Sequence, residues 1–360
     1  MSTILMAVYG PIQSDARVIR AARSLSEAGH TIQLISLNSD ENYTSPWFDS
    51  IFIKDDRKYL SLIHFLSKVL HIAIKKRPDI LYLHDYYMPI VGKVYKLRTG
   101  KKWVYDAHEL IIPEKKSTTM RMRFFAFLER FSISSASLVV AANEERLAVM
   151  KETYQIKESV AIQNISDYTT RILPQEPLEN KENIIVYQGA MMTSRHIDFY
   201  VRAHKLLSSD YSLLLIGDGD SMSNLKSIAI ETKIADRIIF TGKVTQKELY
   251  DYSAKAKIGI ISYPLEGLNN YYCAPNKIYE YAALKIPMIG TPQPFLKHMF
   301  EKYHIGEIVQ WDDMDAYVGA INKICNNYNK YLEGMDAFLK DNCWQNESDK
   351  LQSSVANILI

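Results

Sequence analysis

Two doubly wound α/β domains joined by a linker are what this chain predicts, and three observations carry that reading. Short apolar runs alternate with amphipathic stretches along nearly the whole length, as parallel strands separated by crossover helices do. The rhythm breaks once, over residues 164–183, where Asn164, Pro174, Pro177 and several charges follow no period, as in an interdomain linker. A length of 360 residues also suits about two domains of ordinary size.

In the first series, Ile4–Tyr9 is an apolar run that ends at Gly10-Pro11 and predicts the opening strand. Ser14–Ala28 predicts a helix, with Ala16, Ile19, Ala22 and Leu25 towards one face and Gly29 as its stop. Ile32–Leu37, Ile80–His84, Trp103–Asp106, Leu138–Ala142 and Val160–Ile162 continue the sheet. Helices over about 58–76, 87–98, 120–135 and 143–153 fall between them. In the second series the strands are Ile184–Tyr187, Leu213–Ile216, Ile238–Phe240, Ile258–Ile261, Met288–Ile289 and Glu307–Val309. Trp344–Ile360 predicts a last helix. The expected domains are therefore 1–165 and 184–343, both Rossmann-like, with a terminal helix over 344–360. Such domains would face a ligand cleft with the carboxyl ends of their strands.

A hydrophobic content of 47% and a charged content of 23% predict filled cores and a soluble globular protein. A formal charge of +2 argues against a dedicated nucleic-acid binder, so no nucleic-acid partner is expected. The charge is uneven: residues 1–170 carry 23 Lys and Arg against 18 Asp and Glu, and the remainder 20 against 23. The basic part favours an anionic membrane surface. Cys273, Cys325 and Cys343 have no metal-ligand spacing, and their odd number suits a reducing compartment. No apolar run approaches the ~20 residues of a membrane span. Met1–Tyr9 lacks a basic leader region and reads as a strand, so a cytoplasmic location is expected.

The most informative segment is Asn269-Asn270-Tyr271-Tyr272-Cys273-Ala274-Pro275-Asn276-Lys277-Ile278-Tyr279-Glu280-Tyr281. Pro275 and Asn276 stand where a helix should begin, proline being tolerated in the first turn and asparagine capping well. Lys277 and Glu280, three apart, then share one helix face. A helix N-terminus and a lysine suit a diphosphate, and a carboxylate can accept two hydrogen bonds from a ribose diol. That combination describes most of a nucleotide-sugar site.

The same segment resembles the donor-site signature of the retaining glycosyltransferases of family 4, in the branch reading N-N-Y-x-x-P-N-K-x-x-E-Y. The resemblance extends over nearly the whole chain and implies the GT-B architecture, with the C-terminal helix crossing back onto the first domain. It implies donor contacts from Tyr272, Pro275, Asn276 and Ile278, and catalytic roles for Lys277 and Glu280. Where the family usually has a second glutamate, eight positions before Glu280, this chain has Tyr272, which implies altered sugar contacts. Tyr187-Gln188-Gly189-Ala190-Met191-Met192-Thr193-Ser194-Arg195 is similar to the family's loop that neutralises the leaving diphosphate. Arg195 is the matching cation and Gly189 the loop's opening residue. In Phe240-Thr241-Gly242-Lys243-Val244, the resemblance puts Lys243 and Val244 beside the nucleobase.

In the first half, Tyr105-Asp106-Ala107-His108-Glu109-Leu110 with Pro113-Glu114 resembles the family's Y-D-A-H-E-L-x-x-P-E segment. It implies that His108 approaches the donor sugar, oriented by Asp106 or Glu109. Asp15-Ala16-Arg17-Val18 is similar to the family's D-x-R-V opening, and Gly10 could let backbone approach the donor phosphates or the acceptor. Asp15 and Arg17 could equally cap and pair on the first helix. Arg121–Phe131, basic and aromatic, fits a membrane-surface helix or a core helix with arginines on its wet side.

The resemblance thus implies a metal-independent enzyme with no cofactor, moving a sugar from a nucleoside diphosphate sugar to a glycan or lipid-linked hydroxyl acceptor with retention. A surface-polysaccharide role and peripheral contact with the inner membrane face go with it. Two alternatives stand beside it: a nucleotide-sugar epimerase on the same fold, and a catalytically silent nucleotide-sugar-binding protein. An oxidoreductase is disfavoured, because the first strand ends in Gly10-Pro11 and not in a glycine-rich fingerprint.

Overall fold

The computed structural model describes residues 1–57, 60–114, 119–165, 173–174 and 176–360. They form two compact units, the first of Met1–Asn164 with Gln345–Ile360 and the second of Ile165–Trp344. Much of the expected linker, residues 166–172 and 175, lies outside the described residues, as do the first two of the helix expected from 58.

Unit 1 is built on seven parallel strands: β1 Thr3–Val8, β2 Thr31–Leu37, β3 Asp49–Ile53, β4 Ile80–His84, β5 Lys102–Ala107, β6 Leu138–Ala141 and β7 Ser159–Ala161. Their order is β3-β2-β1-β4-β5-β6-β7, so β1 lies at the point where the winding reverses. Ile4 pairs with Ile32 on one side and with Ile80 on the other. Strands β1, β4, β5 and β6 are nearly continuous runs of buried residues, as a sheet covered on both faces requires. Strand β3 escaped the sequence reading because it is an edge strand, with polar Asp49 and Ser50 and four of its five residues still partly exposed.

The helices of this unit are α1 Ala16–Glu27, α2 Ser61–Lys76, α3 Pro89–Thr99, α4 Met120–Ser132 and α5 Glu144–Thr153. Asp15 caps α1, its side chain accepting from the Val18 N–H at 3.1 Å. The face of α1 that is buried comprises Val18, Ala21, Ala22 and Leu25, so the expected inward Ala16 is instead exposed. Arg17 takes the inward place at the helix start, for a reason given below.

Unit 2 carries six parallel strands, β8 Glu182–Gln188, β9 Ser212–Ile216, β10 Ile238–Gly242, β11 Ala256–Ile261, β12 Met288–Gly290 and β13 Gly306–Ile308. Their order is β10-β9-β8-β11-β12-β13, which puts β8 at the reversal. Helices α6 Ile197–His204, α7 Met222–Glu231, α8 Gln246–Ala254, α9 Leu268–Tyr271, α10 Lys277–Ala283, α11 Pro294–Tyr303, α12 Met314–Asn326 and α13 Tyr328–Asp341 accompany them.

The chain then returns to unit 1 as α14, Trp344–Leu359. Leu351 and Val355 are fully buried. Glu347 accepts from the Gln163 N–H at 2.7 Å, and Ser348 bonds Ser24 of α1 at 2.6 Å. Truncating Leu351 leaves a cavity under α14, and such changes cost about 2–5 kcal/mol. Leu351→Ala is therefore expected to lower the unfolding midpoint of unit 1 while leaving that of unit 2 in place, as resolved by scanning calorimetry.

Candidate active site

In each sheet the strand at the reversal ends in glycine, Gly10 after β1 and Gly189 after β8, where ligands bind in open α/β sheets. The polar residues of each unit gather at these edges.

In unit 1 the centre is Asp106, buried at the end of β5. Arg17 donates to its Oδ1 at 2.7 Å from Nη2 and 3.3 Å from Nε, and to the Ile162 carbonyl at 2.9 Å. Tyr82 donates to Oδ2 at 3.1 Å. Burial alone would raise the Asp106 pKa, but the Arg17 charge, the His84 hydrogen bond and His108 outweigh it and hold the carboxyl far below its usual range.

His84 Nδ1 lies 3.4 Å from Asp106 Oδ2 and 3.2 Å from His108 Nε2. A proton on His84 Nδ1 faces both Asp106 and His108, leaving His108 Nε2 an acceptor and its Nδ1 the N–H, while the buried His84 Nε2 has no hydrogen-bond partner among the described residues. His108 keeps 17% of its side chain exposed, and its carbonyl accepts from Arg146 at 2.8 Å. Burial, with Arg17 and His84 beside it, pushes the His108 pKa down to about 4 against the pull of Asp106. His84, Asp106 and His108 could together face a cation, their ligand atoms lying within 4.8 Å of one another. A dication there would meet a guanidinium already 2.7 Å from the same carboxylate, which disfavours it.

Asp85, next in the chain, holds a left-handed φ of +76°. Its carboxyl accepts from the Tyr86 N–H at 3.1 Å, and burial raises its pKa to about 6, with Glu109 and Asp15 adding to the effect. Gly10 borders open space and accepts from the Leu37 N–H at 3.1 Å.

In unit 2 three glycine turns close on one another. The Gly189 N–H donates to Ile216 and the Gly217 N–H to Gly242, at 2.9 and 3.0 Å. A Cβ on Gly217 would stand 2.0 Å from the Gly189 carbonyl oxygen, so glycine is required there. Beside this stack is a cavity of about 200 Å³ lined by residues that include Gln188, Gly189, Arg195, Ser262, Tyr263 and Lys277.

Arg195 ends a single 3-10 turn, Thr193–Arg195. Its guanidinium lies 3.6 Å from the centre of the Tyr263 ring and donates to the Ser262 carbonyl at 3.3 Å. Ser262 Oγ returns a bond to the Arg195 carbonyl at 2.5 Å. Lys277 Nζ is 3.9 Å from Glu280 Oε2, so the two do share a face. The Gln188 amide donates to Glu280 and accepts from Ser253 Oγ at 3.0 Å.

Other expected residues are placed differently. Helix α10 has only seven residues, and Asn276 takes helical dihedrals and makes no side-chain cap. Its dipole is therefore small, and positive charge at this loop rests on Lys277 and Arg195. The Ile278 side chain is fully buried and belongs to the core. Pro275 is buried, and Tyr272 is half-buried edge-on against Tyr271. Lys243 is exposed, while Val244 packs partly on the unit 2 core. Sequence reasoning passed over Gln188, His84 and Asp85, whose signal is a polar residue closing or directly following an apolar strand.

Two family models match the chain, Glycosyltransferase Family 4 over residues 16–165 and Glycosyl transferases group 1 over 169–336. The chain belongs to the group 1, family 4 glycosyltransferases. An uncharacterized glycosyltransferase of Haemophilus influenzae is 21% identical over 210 residues, and the match takes in 57% of this chain and only 56% of that relative's length. Among solved structures, sucrose-phosphate synthase of Thermosynechococcus elongatus superposes with a TM-score of 0.77 at 16% identity, covering 99% of both chains. HepE of Anabaena, in complex with UDP, gives 0.75 at 13% identity over 99% of this chain and 100% of that one. At such identities these structures share the GT-B fold with this glycosyltransferase.

Two outcomes follow from this geometry. In proton titration by NMR, His108 should have its midpoint near 4, and Arg17→Met should move it upward, because Asp106 is then opposed by one charge fewer; Arg17→Lys should not. The unfolded chain takes up this proton near pH 6.5. The His108 contribution therefore lowers stability as pH falls from about 6.5 towards 4 and is absent above that window. Gly217→Ala should lower the unit 2 unfolding midpoint in scanning calorimetry, with unit 1 unchanged.

Proposed function

We propose that this glycosyltransferase moves a hexose-type sugar from a nucleoside diphosphate sugar to a hydroxyl of a glycan or lipid-linked acceptor, with retention of anomeric configuration. The observation that carries the reading is the convergence of Arg195, Lys277 and the Gln188-held Glu280 on the Gly189 loop. Two cations at one cavity suit a leaving group that gathers charge as the glycosidic bond breaks. Arg195 is held by its stacking on Tyr263 and its bonds to Ser262, so little reorganisation is needed as that charge develops.

Glu280 suits a diol, its carboxylate accepting two hydroxyl hydrogen bonds while Gln188 fixes its angle. His108, neutral at pH 7, can offer an N–H to a hydroxyl without adding positive charge. In this mechanism the acceptor attacks from the face the diphosphate leaves, and a phosphate oxygen takes its proton. Lys277 and Arg195 then supply the charge neutralisation that a bridging metal gives elsewhere. The HepE structures with UDP and UDP-glucose make uridine donors the first to try. A role in surface polysaccharide or other glycoconjugate synthesis, at the inner membrane face, fits a lipid-linked acceptor. Among the described residues no helix is long and apolar enough to cross a membrane.

The test is a thermal-shift panel of nucleoside diphosphates and their sugars on wild type and Glu280→Ala. A ligand at ~100 times its Kd stabilises by about 2.7 kcal/mol, a shift of several degrees. One nucleotide should shift the wild type and fail to shift the variant. Failure of every nucleotide would overturn the donor site. Conversion of the sugar with no acceptor present would instead identify an epimerase.

A further inference from the structure

Helices α2, α3 and α4 pack side by side on unit 1. Each carries three Lys or Arg, and the three together carry a single acid, Glu129. Glu129 is buried, taking hydrogen bonds from the Tyr105 and Tyr154 hydroxyls. The outer surface of these helices is thus cationic and contains no exposed carboxylate of its own.

The same surface is apolar where an ordinary wet face is polar. On α4, Phe125 and Ala126 point inward, yet Phe124, Phe127 and Phe131 are 53–64% exposed and Met120 is 82% exposed. Their spacing of four, three and four residues makes one stripe along the helix. At 100° per residue, Arg121 falls on one side of the stripe, and Arg123 and Arg130 on the other. Lys93 of α3 sits 3.2 Å from the centre of the Phe131 ring and donates to the Phe131 carbonyl at 2.6 Å, joining the two helices at this face. Leu97 on α3 and Ile63 on α2 are exposed as well, at 75% and 65%.

We propose that the outer face of α2, α3 and α4 docks on an anionic lipid bilayer, with the Met120–Phe124–Phe127–Phe131 stripe entering the headgroup boundary. An apolar stripe with guanidinium groups on both flanks suits that boundary, where rings leave water and cations stay with lipid phosphates. Charge of one sign over three adjacent helices complements a surface that is itself of one sign. The placement also serves the membrane-face reading above, on which its meaning for acceptor delivery rests. Ile111, three residues beyond His108, packs with Phe125 and Ala126 on the inner side of α4. A docked α4 would therefore hold the His108 loop next to the bilayer that presents a lipid-linked hydroxyl.

The experiment is co-sedimentation of the full chain with vesicles of phosphatidylcholine alone or with about one-third phosphatidylglycerol, with no donor or acceptor added, so that it is independent of sugar transfer. Binding should require the anionic lipid and should fall at about 0.5 M salt, where the Debye length shrinks to about 4 Å. Arg121→Glu with Arg123→Glu, and separately Phe127→Ser with Phe131→Ser, should each reduce partitioning by about tenfold or more, with unchanged melting curves. Equal binding to both vesicles, no binding by the wild type, or undiminished binding by both variants would overturn the proposal. So would sedimentation velocity showing a dimer that Phe127→Ser with Phe131→Ser dissociates, since the stripe would then be a contact between copies.

Discussion

The ion pair of Arg17 with Asp106 is the constraint on which the edge of unit 1 depends. A guanidinium at the start of α1 reaches the end of β5 and, through the Ile162 carbonyl, the chain just after β7. Burying both charges carries a desolvation cost that the pair meets only with every neighbouring group also satisfied. Asp106 has that support from Tyr82 and His84 in addition to Arg17. One salt bridge consequently ties the start of α1 to the end of β5 and turns Arg17 inward, while burial keeps His108 uncharged.

Unit 2 builds the equivalent strand edge of its own sheet by another route. There the determining feature is backbone meeting backbone at the Gly189, Gly217 and Gly242 turns, where a methyl group on Gly217 would collide with the Gly189 carbonyl. Charge is added afterwards by side chains on separate elements, Arg195 from the 3-10 turn and Lys277 from α10. Neighbouring aromatic and hydroxyl groups hold Arg195 in place.

Much of this was legible in the chain alone, because parallel strands buried on both faces announce themselves as apolar runs. Twelve of the thirteen strands coincide with expected ones within a residue or two, and edge strand β3 does not, since its residues look outward. The family-like segments pointed to His108, Arg195, Lys277 and Glu280, and the last three lie around the Gly189 loop. Gln188, His84 and Asp85 were not found, because each is one polar residue whose meaning depends on a distant partner. Gln188 matters through Glu280, 92 positions away, and His84 through His108, 24 away. Local pattern also misjudged Asn276, whose helical dihedrals leave its side chain without a capping bond. The aromatic character of α4 was visible, but periodicity could not say that three of its rings face outward.

The return of α14 to unit 1 has a consequence for biosynthesis. Unit 2 is a single continuous stretch, so it can fold as soon as its own residues leave the ribosome. Unit 1 begins first but is finished last, because the groups that cover Ser24 and Gln163 are made only after the whole of unit 2. Until then the surface awaiting Leu351 and Val355 stays open to chaperones, so the first half of the chain spends the longest time incomplete.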